Sequence, residues 1–366
     1  LGALTPFGAS AQSALWRTQI GGPAHTAAER MAWWREAKFG LFIHWGIYSV
    51  PAGKYGDNSS YGEWIMNSAK IPVATYQDFA RQFNPVKYDP AAWASLAKDA
   101  GMKYIVITSK HHDGFALFPS EASKWNVRDA TPYKKDLLAP LVTAAKSEGL
   151  KIGFYYSQSQ DWNNPGGAKS GSPEGGGWDE AHKGSYDTYL KDVAVPQVRE
   201  LLTRYPIDIL WWDTPMFMDR KRAEPFAALT KLRPGLMMNN RLGGGYKGDT
   251  ETPEQHIPAK GFPGRDWETC MTMNNTWGFK RDDDKWKPTE TLIRNLCDIA
   301  SKGGSAASHA RGGRRTASHS ARQATSTGSP GAAFARTPET SSVSSESQPA
   351  SGIRAPRRSR RNTSTA

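Results

Sequence analysis

The sequence predicts an α/β fold in which parallel strands close into a (β/α)8-like barrel of the TIM type. Three observations carry that expectation. Short runs of β-branched and aromatic residues recur, as in Ile207-Asp208-Ile209-Leu210-Trp211-Trp212-Asp213, which lies between the turn formers Tyr205-Pro206 and Thr214-Pro215. The order strand, polar loop, helix returns at least five times, the pattern of a parallel sheet. The strand-like runs end in ionisable or aromatic clusters, and functional groups at the C-terminal ends of many strands belong to the active face of a barrel. A chain of 366 residues is long enough for one such domain.

Ala28 to Lys38 has helical composition, and Phe39 to Gly46 then forms an apolar strand that delivers His44 and Trp45 at its tip. A Gly, Asn and Ser loop over Pro51 to Tyr61 leads to Glu63-Trp64. Helical spacing over Tyr76 to Phe83 and Ala91 to Ala100 ends at Gly101, a C-cap. The strand Tyr104 to Thr108 runs into Lys110-His111-His112-Asp113-Gly114-Phe115. A helix over Asp136 to Glu148 is closed by Gly149, and the strand Lys151 to Tyr156 follows. Residues 163–178 form a Gly/Pro/Ser loop long enough to belong to the rim of a site. A helix over Tyr186 to Tyr205 is kinked near Pro196, and the Asp213 strand comes next. Phe226 to Leu232 is helical, Leu236 to Asn239 is a strand presenting Asn240-Arg241, and a loop carries Glu251 and Glu254. Asp266 to Cys270, the segment Asn275 to Phe279 and a helix over Thr289 to Ser301 complete the ordered pattern.

A formal net charge of +12 suggests nucleic acid only until its distribution is read. Residues 305–366 hold ten Arg, no Lys or Asp, and only Glu339 and Glu346, a net +8, which leaves +4 on the first 304 residues. Neither nucleic acid nor a membrane is an expected partner, and no run of about eighteen apolar residues occurs. Cys270 and Cys297 make neither a metal motif nor a disulfide framework. Residues 1–14 are apolar and rich in small residues, and Ala9-Ser10-Ala11 has the form of a signal cleavage site. A secreted or periplasmic protein is therefore expected, or a lysosomal one in a eukaryote.

The presumed rim combines imidazoles, carboxylates, one Arg and several of the fourteen Trp. Two chemistries fit. Three His with acidic residues suit a metal-dependent hydrolase, although adjacent His111 and His112 in an extended segment would face opposite sides. Alternatively, Trp and Tyr faces stack on a pyranose while His, Glu and Arg bond its hydroxyls, and two carboxylates flank the anomeric carbon. The abundance of Trp near strand tips favours the sugar. A lone Asp after a strand more often caps a loop, so Asp213 gains weight only from its company.

That company carries a resemblance. Lys38 to Gly46, Glu63-Trp64, Lys110 to Phe115 with Trp125-Asn126, Phe154 to Ser157 with Asp161-Trp162, Trp211-Trp212-Asp213, Asn240-Arg241, Trp267-Glu268 and Trp277-Gly278 resemble, in order, the signatures of the α-L-fucosidases of glycoside hydrolase family 29. The resemblance covers residues 28 to 304. It implies a catalytic (β/α)8-like barrel followed by a β-sandwich, and removal of terminal α-linked fucose from glycans with retention, through a covalent intermediate, without cofactor or metal. It makes Asp213 the nucleophile and His44, Glu63, Trp64, His111 and His112 the ligands of the fucose hydroxyls. Tyr156 and Arg241 would stand near the reaction centre, with Trp277 as a wall on the methyl side. Glu254 is the first choice for acid/base, Glu268 the second and Glu251 the third.

The resemblance implies an Asn-Leu-Leu-Leu-Asn-Val-Gly-Pro-like strand after Gly304, and this chain turns instead to Arg, Ser, Ala, Thr, Gly and Pro. Such a composition buries too little apolar surface to offset its ordering entropy. The expected organisation is a leader over 1–27, a catalytic barrel over 28–304 that lacks its last strand and the β-sandwich, and a disordered basic tail over 305–366 of the kind a shifted reading frame produces. An open barrel leaves a second reading, a fucose-binding protein without catalysis, beside the retaining exo-α-L-fucosidase and the metal-dependent hydrolase. Nothing in the sequence fixes the oligomeric state.

Overall fold

The computed structural model of the chain describes residues 25–167 and 177–311. The expected leader lies outside them except for residues 25–27, as does the expected tail beyond residue 311. Eight strands form one parallel sheet: β1 (Phe39–His44), β2 (Tyr104–Lys110), β3 (Lys151–Ser157), β4 (Ile209–Asp213), β5 (Met237–Met238), β6 (Thr250–Glu251), β7 (Asp266–Thr272) and β8 (Ser305–Arg311). Their spatial order is β5-β4-β3-β2-β1-β8-β7-β6. A parallel bridge between Asn239 and Thr250 joins the two ends. The sheet therefore closes on itself in chain order, which is the predicted barrel.

Alternation along each strand sorts the core into two parts. Leu41, Ile43, Ile105, Ile107, Ile152 and Phe154 face outward and pack under the surrounding helices. Among these helices are α2 (Pro90–Asp99), α3 (Leu138–Ser147), α4 (Val195–Arg204) and α5 (Arg220–Leu229). The opposite phase points inward, where Phe42, Tyr104, Val106, Tyr155, Trp211 and Cys270 fill the barrel. Room for the Tyr104 ring comes from Gly40, since a Cβ there would lie 2.2 Å from the ring.

The end of the barrel where the strands begin is plugged by α1 (Ala27–Ala37). Thr26 starts it with a capping box: its Oγ1 accepts from Glu29 N at 3.2 Å, and Glu29 Oε2 accepts from Thr26 N at 2.7 Å. Met31, Trp34 and Ala37 of this helix join the inner core. Arg30 and Arg35 tie it to Asp249 and Asp266, which stand at the starts of β6 and β7. The expected helix over 186–205 is divided, with a wide π turn over Leu190–Ala194 immediately before Pro196, whose missing N–H removes a helical bond.

One expectation needs correction. The last strand is not lacking, because Ser305–Arg311 pair with β1 from Phe39 to His44 and with β7 from Glu268 to Thr272. Low apolar content does not prevent this, since a strand slotted between two others gains backbone partners on both sides and its neighbours supply the bulk. Inward, Ser305 Oγ lies 3.0 Å from Tyr104 Oη, and His309 stacks on Phe42 at 4.2 Å between centroids. Outward, Ala306 packs on Trp267 and on Leu296 and Ile299 of α6 (Thr289–Ser301). The small side chains leave a void of about 20 Å³ between α6 and the strands, bordered by Met271, Leu292, Ala306 and Ser308. Filling it by Ala306→Val should stabilise the fold by ~0.5–2 kcal/mol. A raised urea midpoint at unchanged m-value would show this, whereas a lowered midpoint would mean that the helix cannot accept the added methyls.

Candidate active site

The C-terminal ends of the strands surround a pocket of about 180 Å³. That is below the range of drug-sized sites and suits a single small polar ring. A larger cleft of about 400 Å³ lies at the opposite end, beside Ile207 and Leu236 just before β4 and β5, where Lys146, Lys151 and Asp208 form ion pairs rather than a convergent site.

Asp213 ends β4 pointing inward and is largely buried. Its Oδ1 accepts from Arg241 Nη1 at 2.8 Å and from the Thr214 amide at 2.9 Å, and its Oδ2 accepts from Tyr155 Oη at 2.8 Å. His112 Nε2 stands 3.7 Å from the same Oδ2. Burial works against the charge, yet Arg241, His112 and the Tyr155 hydroxyl outweigh it and hold the carboxyl below its ordinary range. Arg241 also donates from Nη2 to Glu254 Oε2 at 2.9 Å, so one guanidinium joins both carboxylates. Burial opposes the charge of Arg241 as well, but the neighbouring carboxylates raise it further above its usual value.

His44, His111 and His112 all line this pocket. The expectation that the adjacent pair would face opposite sides fails because the strand stops at Lys110. The chain turns over His111 to Gly114, closed by a bond from Gly114 N to His111 O at 3.0 Å, and Gly114 adopts φ 75° where a Cβ would strike Asp161. The two rings lie 4.1 Å apart. Burial lowers all three imidazoles, His44 to about 3 and His112 to about 4, so each is neutral near pH 7. The buried Nδ1 atoms of His44 and His111 have no protein partner among the described residues. No group of three His, Cys, Asp or Glu side chains among those residues is arranged to hold a metal.

Glu63 is buried at the pocket wall and accepts from Gly278 N at 3.1 Å, with burial raising its carboxyl. Trp64 stands at the mouth, 36% exposed, edge-on to His112. Trp277 leans on His44. Beneath the tips, the buried Lys110 donates to Ser157 O, Gln160 O and Tyr189 Oη at 2.7–3.1 Å and pairs with Asp161 at 3.3 Å, tying the ends of β2 and β3 together.

Three expected residues lie elsewhere. Tyr156 faces outward on β3, where its hydroxyl donates to Gln197 Oε1 at 2.8 Å, and Tyr155 takes the place beside Asp213. Glu268 is sealed inside the barrel below the pocket, accepting from Tyr104 Oη at 2.5 Å and Trp211 Nε1 at 2.9 Å. Glu251 is engaged by Asn240 and Arg265. Besides Tyr155, the pocket gains Trp211, Thr214, Cys270 and His309. Counting back by two from Asp213 gives Trp211, and β4 pairs it with Tyr155, so the phase of Asp213 is the signal that separates Tyr155 from Tyr156. His309 carried no such signal, since it follows a segment of Ser and Ala.

The cluster makes stability depend on pH. His44, His111, His112 and His309 titrate below the imidazole value of 6.5, so between pH 6.5 and 4 the unfolded chain binds protons that the folded chain refuses. These four imidazoles therefore withdraw stability on acidification through this window. Asp113, pushed up to about 7 by burial, acts in the opposite sense, as do Glu63, Asp136 and Glu268, whose carboxyls burial also raises, so the imidazole contribution is read from the difference between the wild type and a His variant. On acidification from pH 6.5 to 4.5 the urea midpoint of His112→Gln should move upward relative to that of the wild type; equal slopes would contradict the assigned neutral state.

The family model described as Alpha-L-fucosidase matches residues 18–306. Alpha-L-fucosidase of Branchiostoma floridae is 30% identical over 299 residues, covering 75% of this chain and 64% of that protein. Unliganded alpha-L-fucosidase AlfC from Lactobacillus casei is similar with a TM-score of 0.76 at 33% identity, over 84% of this chain and 99% of that one. A mutant of AlfC in complex with Fuca(1,6)GlcNAc gives 0.73 at 32% identity, over 83% and 98%. The chain spans about three fifths of the length of the curated relatives it matches. With the family model covering the barrel from before α1 into β8, this chain belongs to the α-L-fucosidase family.

Proposed function

We propose that this site removes a terminal α-linked L-fucosyl group from an oligosaccharide or glycoconjugate, with retention, acting as an exo-glycosidase. The observation that carries the reading is the pair of carboxylates, Asp213 and Glu254, held on the two ends of the Arg241 guanidinium at a pocket the size of one sugar. Two carboxylates on one guanidinium support the short spacing of roughly 5 to 5.5 Å that retention needs. Membership of the family, and a relative solved with Fuca(1,6)GlcNAc, support fucose as the sugar.

In the first half of the reaction, an Asp213 oxygen attacks the anomeric carbon. The bond to the glycosidic oxygen breaks, its electron pair stays on that oxygen, and the oxygen takes a proton from Glu254. In the second half, water attacks the same carbon, Glu254 recovers a proton, and Asp213 leaves as carboxylate. An ion-paired carboxylate has no proton to give, so Glu254 must part from Arg241 and gain one as the sugar enters. Its side chain is 43% exposed on the segment after β6, which leaves it free to move. A neutral imidazole nitrogen donates or accepts according to its tautomer; with Nδ1 of His112 taken by Ser157 Oγ at 2.7 Å, its Nε2 is the atom left for a sugar hydroxyl, and Trp64 and Trp277 offer faces for the ring.

The test is hydrolysis of 4-nitrophenyl α-L-fucoside, with the first-formed fucose followed by NMR. The α anomer is expected, and release of the β anomer would overturn retention. Asp213→Ala should lower kcat by roughly 10⁴-fold or more, with azide restoring turnover to a β-fucosyl azide. Glu254→Ala should slow alkyl fucosides far more than nitrophenyl ones, because only poor leaving groups need the proton. If Glu268→Ala shows that selectivity instead, the acid/base assignment fails. Tyr155→Phe should reduce kcat, while Tyr156→Phe should cost only stability, about 1 kcal/mol.

A further inference from the structure

Glu268 is a buried carboxyl that the proposed mechanism does not use. Both of its oxygens are engaged: Oε2 accepts from Tyr104 Oη, which also lies 3.0 Å from Ser305 Oγ, and Oε1 accepts from Trp211 Nε1 at 2.9 Å. The second contact matters because of what rests on the indole. Tyr155 stacks on Trp211 with ring centroids 5.6 Å apart and planes at 19°, and the Arg241 guanidinium carbon sits 4.9 Å from the Trp211 ring centroid. Phe42 fixes the indole edge-on at 5.1 Å. Tyr155 and Arg241 are the two side chains that bond the two oxygens of Asp213.

We propose that Glu268 is a positioning residue for Asp213, acting through the Trp211 indole that it anchors. Trp211 is 3% exposed, so its N–H has no water to turn to. Without an acceptor at Glu268, a buried N–H is left unpaired, and the indole gains by rotating toward another partner. Rotation would shift the face on which Tyr155 and Arg241 lie, and both donors would lose their alignment on the carboxylate. Misplacement by about 1 Å at a reacting group can cost roughly 10²-fold in rate. The charged and titratable groups that face Asp213 are Arg241, His112, Tyr155, His44 and Cys270, and those that face Glu268 are Tyr104, Cys270 and Arg241.

This inference deepens the proposed fucosidase reading, so its test has one readout that depends on activity and one that does not. Glu268→Leu and Trp211→Phe should each lower kcat on 4-nitrophenyl α-L-fucoside by roughly 10- to 100-fold with KM within about threefold. Glu268→Gln keeps an acceptor oxygen and should stay near the wild type. The double variant Glu268→Leu with Trp211→Phe should be no worse than Trp211→Phe alone, since both break one chain of contacts. Independently, carboxyl NMR of protein labelled at Asp, with Asp213 assigned through Asp213→Asn, should show the Asp213 midpoint moving upward in the Leu and Phe variants and not in Gln. A folded Glu268→Leu with wild-type kcat and an unmoved midpoint overturns the proposal, as do equal losses in Gln and Leu. If Glu268→Leu does not fold, Trp211→Phe, which keeps the buried acid, decides alone. If the wild-type chain is inert on fucosides, the function reading fails and the NMR midpoint still decides this one.

Discussion

The alternation of side chains along strands that close on themselves is the constraint on which the rest depends. In a closed parallel barrel, inward means one shared interior and outward means the helix layer, so a slip of one residue exchanges the two populations. The inward phase of Asp213 therefore commits Trp211 and Ile209 to the interior, and the register of β4 on β3 sets Tyr155 beside Trp211 and Ser157 beside Asp213. A column of rings results. It rises from Trp34 of the plugging helix through Tyr104, Phe42 and Trp211 to Tyr155, and the polar pocket sits on top. The interior is packed, so the pocket inherits a rigid floor, which a catalytic pair needs more than it needs proximity in sequence.

Closure itself rests on a strand that composition argues against. Seven residues of Ser, Ala, His and Arg pair along both edges, satisfying backbone groups that would otherwise be left open at the seam. The entropy argument that applies to a long polar segment does not apply to a short one received into a slot, because the neighbours have already paid for the ordering of the walls. Phe42, Tyr104 and Trp267 bring the volume, and small side chains fit between them. The cost appears as the void against α6, where larger residues would have interdigitated with Leu296 and Ile299.

Most of the barrel was legible because each strand announces itself twice, by its apolar run and by the polar cluster that follows. Nine of the residues expected at the site line the pocket, among them Asp213, Arg241 and Glu254. What failed did so for identifiable reasons. Tyr155 and Tyr156 differ only in phase, and phase is fixed by pairing with β4, a long-range fact. Glu268 and Glu254 both stand near the end of the barrel sequence; one falls in the interior phase of β7 and the other on a rim segment. His309 and the rest of β8 were hidden because local composition reports what a segment can do alone, whereas this strand exists through its two neighbours. The His111-His112 pair was misjudged because an extended backbone was assumed one residue past the point where the chain turns.

Three carboxyl groups show how environment divides labour among identical chemistry. Asp213 is buried yet kept ionised, because Arg241, the Thr214 amide and the Tyr155 hydroxyl replace the water it has lost. Glu268 is buried with the neutral donors Tyr104 and Trp211 in direct contact, and burial raises its carboxyl. Glu254 is exposed, and its carboxylate is paired with Arg241. On the proposed mechanism these differences are the division required: a nucleophile that must not be protonated, a support that need not be charged, and an acid that must exchange its proton with solvent. Arg241 couples the first and the last. While it holds both carboxylates its charge is shared, and when Glu254 leaves to take up a proton, the guanidinium is left to Asp213 alone, so arming the acid and stabilising the nucleophile as an anion become one movement.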